Sequence, residues 1–505
     1  MNPRAVRERT LSLDGIWDVR LDPDDGAQAI RVPFTFEAAL SGIGRGDEIH
    51  EQLRYRRLFR VPEEWAGSHV LLHFGAVDWR ATVNVDDVEV GTHSGGYTHF
   101  SFDLGALDTG RHHELVVEVE DPADGFQPRG KQRGSGGIWY TRATGIWQPV
   151  WIEAVPAAHI SSFQLTASVD GTLQARVETT EPVDVELRVD GRRVTFRGET
   201  TLGLDEPRLW SPEHPELYDV ELETATGDIV TSYVAFRSFE RRGRELLLNG
   251  EPRRVRGVLD QAYWPDGVYT APSDDALRAD VEAAKELGFD LARMHVKVAD
   301  PRWYAWCDRL GLLVAQDMPS PLRLDTPEAR ENFTRELDEI VEQLRDHPCV
   351  VIWIAINEDW GEPSEAFQRA LVARLRAADS TRVVIDASGW HHRGDTDLLD
   401  VHDYGDDLGA HRSPEGVPLW IGECGGVSLV VAGGEDFAYK HVSSAEALAQ
   451  EYGRLIGGLG DVAGFVWTQL TDVEGELNGL LTHDRRPKSP PQDIRAANEQ
   501  AKEIR

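Results

Sequence analysis

Two glutamates stand directly behind long apolar runs of the chain. Glu358 follows the run CVVIWIAI and one asparagine, Asn357, and Glu423 ends the segment VPLWIGE. Glycosidic bond cleavage needs two carboxylates, because one protonates the leaving oxygen and the other attacks the anomeric carbon or activates water. A single glutamate at a strand end is more often structural, so this chemistry requires that the fold bring the two together.

The elements around the two glutamates predict how they are brought together. After residue 241, short apolar runs alternate with helical stretches, and this alternation predicts a (β/α)8 barrel over residues 241–505. Catalytic groups of such barrels lie at the C-terminal ends of the strands, which places Glu358 after strand four and Glu423 at the end of strand seven. The predicted strands are 253–258, 291–296, 312–318, 349–356, 383–388, 398–404, 418–423 and 464–470.

Other predicted strands also end in polar or aromatic residues. Sugar hydroxyls need hydrogen-bond partners, and the apolar face of a pyranose stacks on an indole ring, so this convergence predicts a sugar pocket. Trp467 is expected to be either the stacking platform or plain barrel core. The candidate residues are Arg293 and His295 on strand two, Asp317 on strand three, Trp390 on the loop after strand five, His402, Asp403 and Tyr404 on strand six, and Trp467 on strand eight.

Helix start signals support the barrel interpretation. Ser273 precedes two aspartates and an amphipathic stretch, as an N-cap does. Thr326 precedes Pro327, which is the arrangement of a cap followed by proline at the first helical position. The stretches between predicted strands five, six and seven carry only weak or short helical patterns.

The pattern of apolar and polar residues in residues 1–240 differs from that of the predicted barrel. Alternating apolar and polar residues between turn pairs predict short strands, and the pattern restarts near residue 157 with strands joined by Asp-Gly turns. Two all-β sandwiches in series, 1–156 and 157–240, fit this pattern better than one large sandwich.

Composition excludes several classes of function. The 505 residues carry a formal charge of −34, which argues against nucleic acid and anionic membranes as partners, and no window approaches the roughly 20 apolar residues of a membrane span. The N-terminus has no apolar signal-like segment, and three dispersed cysteines indicate reduced thiols, so we expect a cytoplasmic protein. Neither metal-ligand spacing nor a glycine-rich phosphate loop is found, so no metal and no cofactor are expected.

Several stretches together resemble glycoside hydrolase family 2, which includes β-galactosidases, β-glucuronidases and β-mannosidases. HPCVVIWIAINE resembles the acid/base motif of that family, and VEVGTHSGGYTHFSFDL resembles its N-terminal sugar-binding sandwich. PRLWSPEHPELYDVELE resembles its middle domain, and GFVWTQLTDVEGELNGLLTHDRRPKSP resembles the end of its barrel. The resemblance implies a jelly-roll sandwich, an immunoglobulin-like sandwich and a TIM barrel, and family habit implies a homo-oligomer.

The resemblance also implies roles for individual residues. The family is retaining, so Glu358 is expected to be the general acid/base, Glu423 the nucleophile, and Asn357 the partner of the sugar 2-hydroxyl. The two carboxyl groups should then lie about 5–5.5 Å apart. Tyr404 is the candidate for the tyrosine that contacts the nucleophile, with Asp403 as the alternative. The family pattern Arg-x-x-His is shortened here to Arg293-Met294-His295.

The identity of the sugar is open at this point. An exo-acting β-glycosidase with β-galactoside as first choice is expected, followed by β-mannoside, β-glucuronide, β-galacturonide and α-L-arabinoside; a non-catalytic carbohydrate-binding protein is the alternative class. The chain has Glu476-Leu477-Asn478 before GLLT, where glucuronidases carry an Asn and a Lys that hold the sugar carboxylate. A glutamate there repels a uronate, which disfavours the glucuronidase branch.

Overall fold

The structure is a computed structural model that describes residues 2–22, 25–123, 125–431 and 437–503. Two antiparallel β-sandwiches precede a barrel of eight parallel strands, so the predicted fold class is confirmed. The domain limits after residues 156 and 240 stay predictions. In the described part of the chain, no helix is long and apolar enough to cross a lipid bilayer.

The N-terminal sandwich packs two sheets against each other. Its strands are β1 (Thr10–Ser12), β2 (Gly15–Arg20), β3 (Gln28–Val32), β4 (Gln52–Phe59), β5 (His69–Phe74), β6 (Val77–Asp78), β7 (Arg80–Val85), β8 (Val88–Ser94), β9 (Phe100–Asp103), β10 (His113–Glu120), β11 (Gly145–Ile146) and β12 (Val150–Val155). One sheet has the order β1-β12-β5-β9 and the other β3-β2-β4-β10-β7-β8, while β6 pairs with β11. Leu115, Val117 and Val119 of β10 face the core between the sheets, with the period of two that a half-buried strand requires.

The middle sandwich is smaller and has its own core. Its strands are β13 (Ile160–Ala167), β14 (Thr172–Thr179), β15 (Val185–Val189), β16 (Arg192–Phe196), β17 (Glu199–Gly203), β18 (Tyr218–Thr224) and β19 (Ile229–Val234). They form sheets of order β13-β14-β17 and β16-β15-β18-β19. Asp190 and Gly191 join β15 to β16 with φ of 47° and 72°, which is the positive-φ turn predicted from the Asp-Gly pair. A small sheet of β20 (Phe239–Arg242), β21 (Glu245–Leu248) and β22 (Glu251–Pro252) then leads to the barrel.

The barrel follows the predicted sequence of elements. Its strands are β23 (Val255–Asp260), β24 (Leu291–Met294), β25 (Leu313–Asp317), β26 (Val350–Ile354), β27 (Val383–Ile385), β28 (Leu399–Asp403), β29 (Leu419–Gly425) and, after the short pair β30 (Val427–Ser428) and β31 (Lys440–His441), β32 (Gly464–Thr468). The parallel order is β27-β26-β25-β24-β23-β32-β29-β28, so the ring is closed except between its end strands. Each of the eight predicted strands overlaps one of these.

Helices cover the outside of the barrel. They are α1 (Asp274–Glu286), α2 (Pro301–Leu310), α3 (Pro327–Leu344), α4 (Glu365–Ala378), α5 (Ala445–Gly457) and α6 (Pro491–Glu503). Ser273 and Thr326 cap α1 and α3 as predicted, since their side chains accept from the backbone N–H of Ala276 and Ala329. Every residue of β26 is buried because the strand is covered by helices on one side and by the barrel interior on the other. After β28 the chain forms only a 3₁₀ turn, Leu408–Ala410, in line with the weak helical pattern there.

A segment of the N-terminal sandwich crosses the C-terminal end of the barrel. We call residues 128–141 the arm. At one end, the backbone N–H groups of Arg129 and Gly130 donate to the carbonyl of Ser320, which follows β25, at 3.0 and 2.9 Å. At the other end, the N–H of Thr141 donates to Glu474 Oε1 at 2.9 Å, after β32. The arm therefore spans the mouth between two barrel loops and roofs part of it.

Gly130 holds the arm close to the barrel. Its φ is 61°, and a Cβ at this position would lie 2.4 Å from the carbonyl oxygen of Val296. We expect Gly130→Ala to lower the thermal unfolding midpoint and to speed proteolytic cleavage of the arm, because the backbone has to move away from Val296. Gly137→Ala is the matched control, since Gly137 has φ of 60° and no atom within 4 Å of the added Cβ. Equal effects of the two variants would show that left-handed strain alone, about 1–2 kcal/mol, explains the loss.

Candidate active site

The structure brings the two glutamates together at the barrel mouth. Glu358 follows β26, where its N–H donates to the carbonyl of Ser388 at 2.9 Å, and Glu423 lies within β29. Glu358 and Asp359 both have positive φ, 49° and 62°, which turns the chain sharply after the strand. One oxygen of each glutamate and a ring nitrogen of His402 lie within 4.8 Å of one another. Two buried strands therefore bring their carboxylates together at the barrel mouth.

His402 lies between the two carboxylates. Its Nδ1 is 2.6 Å from Glu358 Oε1 and 3.6 Å from Glu423 Oε1. Its Nε2 is 2.8 Å from the hydroxyl oxygen of Ser388, which donates its own hydrogen to Asp400 at 2.6 Å and so accepts from the ring. Burial lowers the pKa of His402, but the charge of Glu423 and the hydrogen bond with Glu358 outweigh it and raise the pKa overall. The raised pKa favours the imidazolium form, whose Nδ1–H faces the two carboxylates.

Arg293 is buried beneath the glutamates and binds several side chains there. Its Nη1 donates to Glu423 Oε1 at 3.2 Å, and its Nη2 donates to Asn357 Oδ1 at 2.8 Å and to Asp317 Oδ2 at 2.9 Å. The Arg293 side chain is fully buried and that of Asp317 is 1% exposed. The prediction that these two side chains contact substrate is therefore corrected: their polar atoms are used inside the protein, and they orient the neighbours that face the cavity.

Glu423 is held in its ionised form. The hydroxyl of Tyr404 donates to Glu423 Oε2 at 2.5 Å. Burial raises the pKa of the Glu423 carboxyl, but the positive charges of His402 and Arg293 exceed that effect and lower the pKa to about 2. An ionised, hydrogen-bonded carboxylate of this kind is ready to act as a nucleophile.

The side-chain directions show whether Tyr404 or Asp403 contacts Glu423. Asp403 accepts from the N–H of Gly405 at 2.7 Å and lies 2.6 Å from the Nε2 of His411, so its carboxylate is bound on the loop after β28. Of the two candidates, Tyr404 is therefore the residue that contacts Glu423. One residue further along the chain, Tyr404 turns toward Glu423 instead.

The two remaining tryptophan candidates differ. Trp467 is fully buried, and its ring centroid is 4.5 Å from that of Tyr452 on α5. Its prediction as a stacking platform is corrected, because the ring packs between the barrel wall and its helix layer. Trp390 is 44% exposed, and its ring lies 5.7 Å from that of His402 at the mouth.

His295 lies at the site, although the family pattern Arg-x-x-His is one residue shorter in this chain. Its Nδ1 is 2.9 Å from Asp317 Oδ2, and its ring faces that of Trp360 at 6.4 Å. Burial lowers the pKa of His295 more than the hydrogen bond with Asp317 raises it, so the ring is neutral near pH 7 and donates its Nδ1–H to Asp317.

Other residues at the mouth were not predicted from the sequence. Tyr439 is 51% exposed and stacks on Tyr404 with centroids 3.6 Å apart. Burial raises the pKa of Tyr439 to about 12, and the charges of Glu423, Glu358 and Glu476 contribute. Trp360 could have been proposed from the sequence, because it follows Glu358 by two residues. No sequence feature pointed to Tyr439 or to the arm.

Two clusters of described residues contain side chains whose nitrogen, oxygen or sulfur atoms could bind a metal ion. The first is Asp308, His347 and Cys349, and the second is Glu358, His402 and Glu423. In the first, Asp308 Oδ2 lies 2.6 Å from His347 Nδ1 and accepts from Tyr233 at 2.7 Å, so these donors already bind one another. In the second, Nδ1 of His402 lies 2.6 Å from Glu358 Oε1 and 3.6 Å from Glu423 Oε1, so the ring contacts both carboxylates. Both arrangements are explained by protein contacts alone.

Replacing His402 tests its electrostatic role. We expect His402→Asn to shift the acidic limb of the kcat/KM–pH profile to higher pH by about one unit, because the Glu423 carboxylate loses the positive charge of His402 and its pKa rises. The measurement is kcat/KM toward an activated aryl glycoside across the acid range. His411→Asn is the control, since His411 binds Asp403 outside the site. An unshifted acidic limb in His402→Asn would contradict the role of His402.

Comparisons with known proteins agree with this architecture. The model for Glycosyl hydrolases family 2 matches residues 157–237, and the model for the TIM barrel domain of that family matches residues 240–402. A β-galactosidase of Thermoanaerobacter pseudethanolicus is 28% identical over 335 residues, covering 60% of this chain and 44% of that protein. A putative β-glucuronidase of Formosa agariphila is 27% identical over 318 residues, covering 58% of this chain and 38% of that protein. The chain thus aligns with less than half the length of either relative.

Solved structures share the fold over nearly the whole chain. A family 2 β-galacturonidase from Eisenbergiella tayi bound to galacturonate has a TM-score of 0.81 at 19% identity, with 98% of each chain covered. A β-glucuronidase from Ruminococcus gnavus in complex with D-glucuronic acid has a TM-score of 0.81 at 19% identity, covering 99% of this chain and 98% of that one. With both family models matched in succession on this fold, residues 157–402 belong to glycoside hydrolase family 2.

Proposed function

We propose that the protein is an exo-acting β-glycosidase that works with retention of configuration. The observation that carries this proposal is the pair of carboxylates, with one oxygen of Glu358 and one of Glu423 within 4.8 Å. A separation of this size suits a direct nucleophile, whereas an inverting pair needs about 6.5–9.5 Å to hold a water between the carboxyl groups. The arm, which roofs part of the mouth, supports action on a terminal sugar.

The reaction then runs in two displacements. Glu423 attacks the anomeric carbon while Glu358 gives its proton to the glycosidic oxygen, so the C–O bond breaks and a glycosyl ester forms on Glu423. Glu358, now a carboxylate, takes a proton from water, and the resulting oxygen attacks the same carbon and releases Glu423. Two inversions restore the original configuration. Arg293 and Tyr404 hold Glu423 in place throughout, and His402 supplies positive charge beside it.

Asn357 is placed to recognise the sugar. Because Arg293 donates to Asn357 Oδ1, the amide is oriented with its Nδ2–H groups available for another partner. In this proposal that partner is the sugar 2-hydroxyl, a contact that strengthens toward the transition state. The half-exposed ring of Tyr439 and the exposed Trp390 add aromatic surface around the pocket.

The carboxylate of Glu476 favours a neutral sugar as the substrate. The buried carboxylate of Glu476 accepts from the Tyr140 hydroxyl at 2.5 Å and from Asn478 Nδ2 at 3.1 Å, and it pairs with Lys131 of the arm at 3.3 Å. The Lys131–Glu476 pair is neutral overall, so it offers a sugar carboxylate no net attraction. β-Galactoside is accordingly the first choice, while β-mannoside and α-L-arabinoside come before the two uronides.

A panel of aryl glycosides tests the activity and the sugar. We expect the β-galactoside to have the highest kcat/KM and the β-glucuronide and β-galacturonide to be at least about tenfold poorer, because a uronate is repelled by the Glu476 carboxylate and Lys131 is already paired with that carboxylate. NMR of the first-formed product should show the β-anomer. A preference for a uronide would overturn the neutral-sugar part. Sugar binding without hydrolysis of any substrate would overturn the enzyme proposal and favour a carbohydrate-binding protein.

A further inference from the structure

Two tryptophans from distant parts of the chain meet at the mouth. Trp139 of the arm and Trp360, which follows β26, have ring centroids 5.0 Å apart at an angle of 38°. Both residues are only half-buried, although an indole ring exposed to water forgoes a large burial gain. We call this pair the aromatic wall.

The aromatic wall stands on the side of Glu358. Trp360 is two residues beyond Glu358, in the turn that is closed by its N–H donating to the carbonyl of Asn357 at 2.8 Å. The ring of Trp360 also faces that of His295, which contacts Asp317, the partner of Arg293 beneath the glutamates. Since Glu358 faces the glycosidic oxygen in the proposed reaction, surfaces next to Glu358 contact the group that leaves with that oxygen.

The arm holds its half of the aromatic wall in place before any ligand arrives. Gly136 and Trp139 exchange two backbone hydrogen bonds at 3.0 and 3.1 Å, and the N–H of Tyr140 donates to the carbonyl of Lys131 at 3.0 Å. The guanidinium of Arg133 lies 4.5 Å over the ring of Trp139. A ring that is already oriented costs little conformational entropy on binding.

We propose that Trp139 and Trp360 form a subsite for the leaving group of the substrate, which carries a ring with a flat apolar face. Indole rings stack on such faces, whether the ring is an aryl group or the apolar side of a second pyranose. This subsite rests on the proposed glycosidase function and adds the part of the substrate that the catalytic pair does not define. The terminal sugar contacts Asn357 and the catalytic pair, and the leaving group contacts the aromatic wall.

The test compares leaving groups on one and the same terminal sugar. The variants are Trp139→Ala and Trp360→Ala, and the substrates are a 4-nitrophenyl glycoside, a disaccharide and the glycosyl fluoride, which has no ring to stack. We expect each variant to lower kcat/KM by about tenfold on a substrate with a ring, and to change kcat/KM on the fluoride by less than about twofold. Loss confined to the aryl substrate identifies an aryl leaving group, and loss on the disaccharide identifies a sugar.

Trp306→Ala is the matched control. Trp306 is also half-buried and flanked by the guanidinium groups of Arg278 and Arg309, but it lies on α2. It should leave all three rates unchanged relative to one another. Equal losses on fluoride and ring substrates would assign the aromatic wall to folding, and no loss on any substrate would also overturn the subsite. A wild-type protein that hydrolyses none of the three substrates would instead overturn the proposed function itself.

Discussion

Glu423→Gln is expected to lower kcat/KM by roughly 10⁴-fold or more on every glycoside that the wild type hydrolyses. The amide keeps nearly the size and shape of the carboxylate next to Tyr404 and Arg293, but it cannot attack the anomeric carbon. Initial rates with the preferred aryl glycoside measure the loss, and the thermal unfolding midpoint checks that the fold is kept.

A trapping experiment identifies the attacked atom. A 2-deoxy-2-fluoro glycoside with a good leaving group should form a long-lived ester on Glu423, because the fluorine withdraws electrons from the transition state and slows release of the sugar. Mass spectrometry of the digested protein locates the added sugar. Asp403→Asn serves as the control, since this neighbouring carboxylate is turned toward His411 and its loss should cost less than about threefold. A label on any other residue, or turnover preserved in Glu423→Gln, contradicts the nucleophile assignment.

Glu358→Ala should have an effect that depends on the leaving group. For a sugar or another poor leaving group that needs a proton, kcat/KM is expected to fall by about 10²–10⁴-fold, which is the usual contribution of general acid catalysis. For a leaving group that departs as a stable anion, kcat/KM should fall far less, because Glu423 still attacks. A series of aryl glycosides with graded phenol acidity measures this difference as a steeper slope in the variant.

Azide separates the two roles by stereochemistry. In Glu358→Ala, azide enters the space left by the acid/base and attacks the glycosyl ester, so the product should be the β-azide. In Glu423→Ala, azide takes the place of the nucleophile and attacks the substrate directly, so the product should be the α-azide. NMR of the products distinguishes the two. The same anomer from both variants would mean that the roles of the two glutamates are not the ones proposed.

The parts of the fold that depend on local pattern were predictable. Apolar runs such as CVVIWIAI predict strands that are buried on both faces, and all eight predicted barrel strands overlap observed ones. Ser273 and Thr326 cap their helices as expected, because a capping side chain needs only the first turn that follows it. The strand ends, and with them the positions of Glu358 and Glu423 at the mouth, follow from the same pattern.

The directions of single side chains at the strand ends were not predictable. Arg293 and Trp467 were both expected to face the sugar, but Arg293 lies beneath the glutamates and Trp467 packs against Tyr452. The ends of β28 and β29 contain register irregularities, at Val401/His402 and Ile421/Cys424, where the simple alternation of faces breaks down. A pattern of period two cannot assign a face where the register shifts. In the regular strand β24, the pattern cannot tell that Arg293 binds Asp317 and Asn357 instead of a sugar.

By itself the sequence determined the order of the elements, the barrel that they form and the two glutamates at its mouth, since each depends on residues adjacent along the chain. Only the tertiary structure decided that His402 lies between the glutamates, that Tyr404 rather than Asp403 contacts Glu423, and that the arm carries Lys131 and Trp139 over the barrel. Trp139 and Trp360 are more than two hundred residues apart and meet only because two domains pack against each other. Contacts of that range arise from the sum of many packing interactions, and no local pattern encodes them.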